Sequence, residues 1–272
     1  MIIDASCQIS YQTNAPTPAI LMLRPRSGFA QWITREEYTL EPPVSVIEYT
    51  DSFGNLCQRV LIPQGSFEIR CSCRAHTADV LDVEPAADFV PVQELPESAL
   101  QFLLPSRYCQ SDLLNELATS IVGQTPAGYQ QVAAIEQWLR TQIRYVSGAS
   151  DAKTSAVDTA KSKTGVCRDY AHLGISLTRS LNIPARMVVG YLYQLEPMDL
   201  HAWFEAFVGG RWFTFDGTQQ GPRGNRITIA YGRDAADVAL TSNYGALELK
   251  AMKVTVEKAP QARSELLRQN RS

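Results

Sequence analysis

Cysteine and histidine are the side chains in this sequence best suited to covalent chemistry near neutral pH. Both are scarce, with six cysteines and three histidines in 272 residues. Cys167 stands in Thr164-Gly165-Val166-Cys167, where a glycine-bearing loop meets the start of a helical pattern. A helix N-terminus offers unpaired N–H groups and a partial positive charge, and both favour a thiolate. A cysteine placed there is a candidate nucleophile; the competing reading is a small buried hydrophobe, the common state of a free cysteine. Its partner must be His76, His172 or His201. His172 lies five residues along the same helical pattern, about 140° around the axis, and reads as a packing or capping residue. His76 ends a strand with no acid in register.

His201 has a better setting. In Leu200–Val208, strand alternation puts His201, Trp203, Glu205 and Phe207 on one face. Gly209-Gly210 suits a two-residue hairpin turn, which would pair Val208 with Arg211 and set Asp216 opposite Trp203. His201 and Asp216 then become diagonal neighbours on one face, roughly 7–8 Å apart at the backbone. The chemistry this implies is a triad: Cys167 attacks, His201 serves as base and then acid, and Asp216 fixes the His201 tautomer. Against it stands a His and an Asp on the solvated face of an ordinary hairpin.

The surrounding pattern shows which elements must hold these groups. Up to about Thr77, short apolar runs (Ile20–Leu23, Val44–Tyr49, Gln58–Ile62, Phe67–Cys73) alternate with turn formers, including Asp51-Ser52-Phe53-Gly54-Asn55, as in a β domain. Residues 80–110 carry Pro85, Pro91, Pro96 and Pro105 without helical period and read as an extended surface linker. Helical stripes follow over Ser111–Val122, Gln130–Tyr145 and Val166–Leu181. Strands are expected at Arg186–Tyr193, His201–Val208, Arg211–Asp216 and near Leu247–Val256. The expected architecture is α+β: residues 1–110 form an N-terminal antiparallel β-sandwich-like domain with its linker, 111–258 a core of helices on an antiparallel sheet, and 259–272 a polar tail.

Composition narrows the classes of function. The chain is 45% hydrophobic, and 25 basic residues face 28 acidic ones, which gives neither a disordered chain nor a nucleic-acid footprint. Met1-Ile2-Ile3-Asp4 lacks the basic start of a signal peptide, the longest early apolar run is far short of a membrane span, and dilute cysteines read as reduced thiols. A cytoplasmic location without membrane attachment is the expectation. Cys71-x-Cys73-x-x-His76 has no nearby fourth ligand, and its cysteines read as buried thiols rather than a zinc site. No metal or other cofactor is expected. Trp203 and Trp212 could shape a substrate groove, although tryptophan on a half-buried sheet is ordinarily packing.

Several segments together resemble the transglutaminase-like superfamily. Gly165-Val166-Cys167-Arg168-Asp169-Tyr170-Ala171-His172, with Asn182-Ile183-Pro184-Ala185-Arg186 and Gly190-Tyr191, is similar to its nucleophile segment. His201-Ala202-Trp203-Phe204-Glu205-Ala206 and Trp212-Phe213-Thr214-Phe215-Asp216-Gly217-Thr218 resemble its His and Asp strands. Leu23-Arg24-Pro25, the Asp51–Asn55 segment and Gly232-Arg233-Asp234-Ala235-Ala236-Asp237-Val238 are similar to a bacterial subgroup with an N-terminal β domain. The resemblance implies a papain-like core and acyl transfer at an amide of a protein or peptide through a thioester. It also implies an aromatic oxyanion donor upstream of the nucleophile, for which Tyr145 is the nearest candidate; a buried ring with a wet tip is the alternative. Hydrolysis by a peptidase or amidase is favoured, because the calcium-loop signature of the animal crosslinking enzymes is missing and Arg168, not Trp, follows Cys167. A protein-crosslinking transglutaminase and a non-catalytic binding module are the other readings. The Gly232–Val238 segment reads as a loop held by ion pairs, with no chemical role assigned.

Overall fold

A computed structural model describes residues 1–28 and 30–260. The chain opens with six strands: β1 (Ile2–Thr13), β2 (Thr17–Arg24), β3 (Gln31–Glu41), β4 (Val46–Thr50), β5 (Leu56–Ile62) and β6 (Gly65–Thr77). Helices α1 (Glu97–Leu100), α2 (Asn115–Val122) and α3 (Tyr129–Gln142) follow, then the short strand β7 (Arg144–Tyr145), α4 (Ala156–Ser162), β8 (Thr164–Gly165) and α5 (Cys167–Ser180). The remaining elements are β9 (Ala185–Leu192), β10 (His201–Val208), β11 (Arg211–Phe215), β12 (Arg226–Gly232), β13 (Thr241–Asn243) and β14 (Glu248–Lys258).

The first strands build two antiparallel sheets, ordered β14-β1-β6-β3 and β13-β2-β5-β4. Period-two alternation buries Ile3, Ala5, Cys7 and Ile9 of β1 and Phe67, Ile69, Cys71, Cys73 and Ala75 of β6, each large apolar side chain contributing roughly 1.5–3 kcal/mol. The Asp51–Asn55 connection is the expected hairpin loop, in which Asp51 Oδ1 accepts the N–H groups of Phe53 and Asn55 at 2.9 and 2.8 Å.

One expectation is corrected here. The strand near Leu247–Val256, grouped from the sequence with the second unit, is β14, and it pairs along β1 from Ile3↔Lys258 to Gln12↔Glu248. It satisfies an edge that β1 would otherwise expose, a pairing across the whole chain that local alternation does not reveal. At the start of the expected polar tail, the Ala259 N–H bonds to the Ile2 carbonyl at 3.0 Å; residues 261–272 lie outside the described residues.

The second part is a four-stranded antiparallel sheet, β11-β10-β9-β12, with α5 packed on β10 and β9. Helix α5 is buried along nearly its whole length, so it is a central helix rather than an amphipathic surface one. Gly174 permits its close approach, since a Cβ there would stand 2.5 Å from the Phe204 ring. Residues 80–110 are not a plain extended linker. Leu95, Ala99 and Phe102 are buried, and the segment lays α1 over Phe207 and Trp212, because those exposed-face aromatics need cover. Helix α4 also escapes the sequence reading.

The first part of the chain grips the second at strand β12. Gln31 Nε2 donates to the Thr228 carbonyl at 2.9 Å while its Oε1 accepts the Thr228 N–H at 2.6 Å. Asn55 repeats this fork at Tyr231, at 2.7 and 2.8 Å. Two side-chain amides thus replace the missing neighbour strand and satisfy backbone groups that would be costly to bury unpaired. No helix among the described residues is long and apolar enough to cross a membrane.

Candidate active site

Cys167 is the first residue of α5, and its thiol is partly exposed while the other five cysteines are buried. Val166 at the N-cap has no side-chain acceptor. Only the return half of a capping box forms, with Asp169 Oδ2 accepting the Val166 N–H at 2.8 Å. The Cys167 and Arg168 N–H groups at the tip of α5 thus receive no side-chain cap, while that of Asp169 meets the Val166 carbonyl at 2.9 Å. Gly165 is required by this turn, because a Cβ would lie 2.7 Å from Asp169 Cβ.

The β10–β11 hairpin has the register expected from the sequence, with Val208 opposite Arg211 and Phe204 opposite Phe215. Gly209 and Gly210 take φ of 57° and 82°, the left-handed geometry that a tight hairpin of this kind needs. His201 and Asp216 emerge side by side, with His201 Nε2 2.7 Å from Asp216 Oδ2 and both side chains almost fully buried. With Nε2 committed to Asp216, Nδ1 is the nitrogen left for the thiol. The Cys167 thiol lies close enough to the imidazole to be among the groups that raise it. The three residues singled out from the sequence are thus brought together.

Residues that sequence reasoning missed complete the setting. Thr218 donates its hydroxyl to Asp216 Oδ1 at 2.6 Å, and its N–H reaches the same oxygen at 3.1 Å. Glu136 of α3 accepts the Asp216 N–H at 2.7 Å. Arg226, the first residue of β12, puts Nη2 2.8 Å from Asp216 Oδ2, an ion-pair contact without an N–H aimed squarely at the oxygen. The Asp-Gly-Thr run hinted at Thr218; nothing local pointed to Glu136 or Arg226, which arrive from 80 residues before Asp216 and 10 after it.

These contacts set the charges. Burial opposes an ionised Asp216, but His201 and Arg226 outweigh it and, with the hydrogen bonds from His201 and Thr218, hold the carboxyl well below its usual range. Burial likewise opposes a charged His201, yet the Asp216 carboxylate, its hydrogen bond and the Cys167 thiol raise the imidazole to about 9. At neutral pH the pair is imidazolium and carboxylate, with the positive ring set beside the Cys167 sulfur.

Residues 115–217, which end one residue past Asp216, match the transglutaminase-like superfamily. A candidate cysteine protease from Cytophaga hutchinsonii is 36% identical, and the two structures superpose with a TM-score of 0.89 over 97% of this chain and 92% of that one. The chain belongs to the transglutaminase-like superfamily. An uncharacterized protein of Mycobacterium leprae is 25% identical over 245 residues, covering 84% of this chain and 87% of its own length.

Within this transglutaminase-like protein, the other candidates separate. Tyr145 does not end a helix. Helix α3 stops at Gln142, and Tyr145 sits on β7, paired with Gly165 of β8 in a parallel ladder beside the nucleophile turn. It is half exposed, and its phenol, raised chiefly by burial and then by the neighbouring thiol, is close to both the N–H and the thiol of Cys167. Trp203 lines no groove. It is 2% exposed, because β10 is an inner strand and Arg226 lies over its ring with Cζ 4.9 Å from the centroid. His172 is a buried packing residue, one of the two readings expected. Its Nε2 accepts the Ala235 N–H at 3.1 Å, its ring stacks on Tyr108, and burial lowers it to about 3. Cys71 and Cys73 are buried while His76 is exposed. The Gly232–Val238 segment proves to be a clasp, with buried Asp234 accepting the Tyr108 and Ala236 N–H groups and Arg233 pairing with Asp237 at 2.8 Å.

Proposed function

We propose that this protein is a cysteine-dependent acyl-transfer enzyme that cleaves amide bonds of proteins or peptides through a thioester, with water as the acceptor. The observation that carries the reading is the 2.7 Å contact of His201 Nε2 with Asp216 Oδ2, which leaves Nδ1 free to serve the nearby Cys167 thiol. His201 holds the thiol proton, and the Cys167 sulfur attacks the amide carbonyl. The imidazolium gives its proton to the departing amine as the C–N bond breaks, leaving a thioester. The neutral imidazole then takes a proton from water, the resulting hydroxide attacks the thioester, and the thiol is restored. Charge on the carbonyl oxygen falls to the Cys167 N–H at the tip of α5 and to the Tyr145 hydroxyl from β7. The 36%-identical relative described as a candidate cysteine protease supports the same reading.

The test is mass spectrometry of a mixture of glutamine- and lysine-containing peptides after incubation with the purified protein. Hydrolysis predicts cleaved or deamidated peptide and no isopeptide-linked product. Linked peptide as the main product would replace this reading with crosslinking, and no Cys167-dependent product from a broad peptide set would overturn it.

A further inference from the structure

Strand β12, at the edge of the second sheet, sends an ion-paired cation to the Asp216–His201 pair. Asp216 Oδ2 is shared by two positive groups, His201 Nε2 at 2.7 Å and Arg226 Nη2 at 2.8 Å, and all three side chains are at least 94% buried. Arg226 is anchored rather than tethered loosely. Its Nε donates to the Arg223 carbonyl at 2.9 Å, its plane lies over Trp203, and Nη1 meets no acceptor. Two residues on, Thr228 is held by the Gln31 fork, so β12 cannot drift from the site without breaking that clasp. A buried, always-charged guanidinium with unspent donors costs solvation, which is reason to ask what it does.

We propose that Arg226 is a positioning residue of the triad: it fixes Asp216 and restrains how strongly that carboxylate holds the His201 proton. This rests on the triad reading above. Two cations on one oxygen compete, so Arg226 keeps the imidazolium acidic enough to protonate a leaving amine, which a lone Asp–His pair in so dry a site would resist. The charged and titratable groups around the pair are Cys167 from α5, Tyr145 from β7, Glu136 from α3 through the Asp216 N–H, and Arg226 from β12. Only Arg226 is a permanent cation on the carboxylate.

The test is NMR titration of His201 in the full-length protein, read against pH in wild type, Arg226→Gln, Arg226→Met and Arg226→Lys; with three histidines, His201→Asn assigns the signal. Removing the charge raises the His201 midpoint by about one pH unit, and kcat/KM on any substrate that wild type turns over falls about tenfold or more. Arg226→Lys keeps the midpoint near the wild-type value. Arg226→Met leaves an apolar stem on Trp203 and adds no buried polar group, so it carries the test if the Gln variant does not fold. An unmoved midpoint in a folded charge-removed variant overturns the proposal. This readout needs no turnover, so failure of the amide-cleaving reading would show instead in the peptide assay.

Discussion

Replacing Asp216 by Asn keeps the shape of the side chain and removes the charge on which the site depends. In the native protein the imidazole of His201 is raised from 6.5 to about 9 against the pull of burial. That difference, 2.5 pH units at about 1.36 kcal/mol each, corresponds to roughly 3 kcal/mol of preference for the imidazolium. Without the carboxylate, only the thiol supports the charged ring, and burial takes over. The His201 midpoint should fall by two units or more, leaving the ring neutral at pH 7. An amide nitrogen facing Nε2 would also favour the tautomer with its proton on the wrong side. The rate of Cys167 alkylation at pH 6–7 should fall by at least tenfold, and turnover by 10³-fold or more, roughly the scale seen for the equivalent change in serine enzymes. Two assays read this: NMR titration of the His201 ring, and iodoacetamide labelling followed by peptide mapping. A folded Asp216→Asn protein whose His201 still titrates near 9, or whose Cys167 labels at the native rate, would refute the reasoning.

Iodoacetamide at pH 6–7 should label Cys167 well before any other cysteine in the folded protein, because burial pushes Cys7, Cys73 and Cys109 up to about 12 and raises Cys57 and Cys71 as well; uniform labelling would contradict the assignment. Activity should decline along an alkaline limb near pH 9, as the imidazolium that protonates the leaving amine is lost, and a kcat/KM profile flat to pH 10.5 would speak against it. Stability shares this dependence. The His201 contribution is full below pH 6.5 and is lost as pH rises through about 9, while that of Asp216 is present above 3.8 and is lost as pH falls through its lowered native value; denaturant midpoints across pH measure both. Gln31→Leu leaves the partly buried Thr228 N–H and carbonyl unpaired and should cost about 1–3 kcal/mol, read as a lower urea midpoint. Gly190→Ala should cost at least as much, since its methyl would overlap the Ile227 carbonyl oxygen and crowd Trp203.

Much of the site could be read from the sequence because its signals were local. The helix tip marks Cys167, while Gly209-Gly210 and two-residue alternation fix the register that joins His201 to Asp216. A hairpin is a short-range object, and its turn carries the information. The same alternation misled at Trp203: it gave the face correctly but could not show that Arg226 and an inner-strand position would cover that face. Arg226 and Glu136 were invisible because their partner is brought to them only by sheet order and helix packing. The return of β14 to β1 and the Gln31 and Asn55 forks at β12 are likewise long-range pairings. The bacterial-subgroup segment Asp51–Asn55 has a physical purpose once those forks are seen, since Asp51 shapes the loop that aims Asn55 at Tyr231.

The central claim is that Cys167 forms a thioester with its substrate, and intact-protein mass spectrometry after brief exposure to an activated ester such as p-nitrophenyl acetate tests it most directly. The account predicts a single acyl group, mapped to Cys167, released on standing in water, and missing from Cys167→Ala. Acylation spread over several residues, or retained in full by Cys167→Ala, would contradict it.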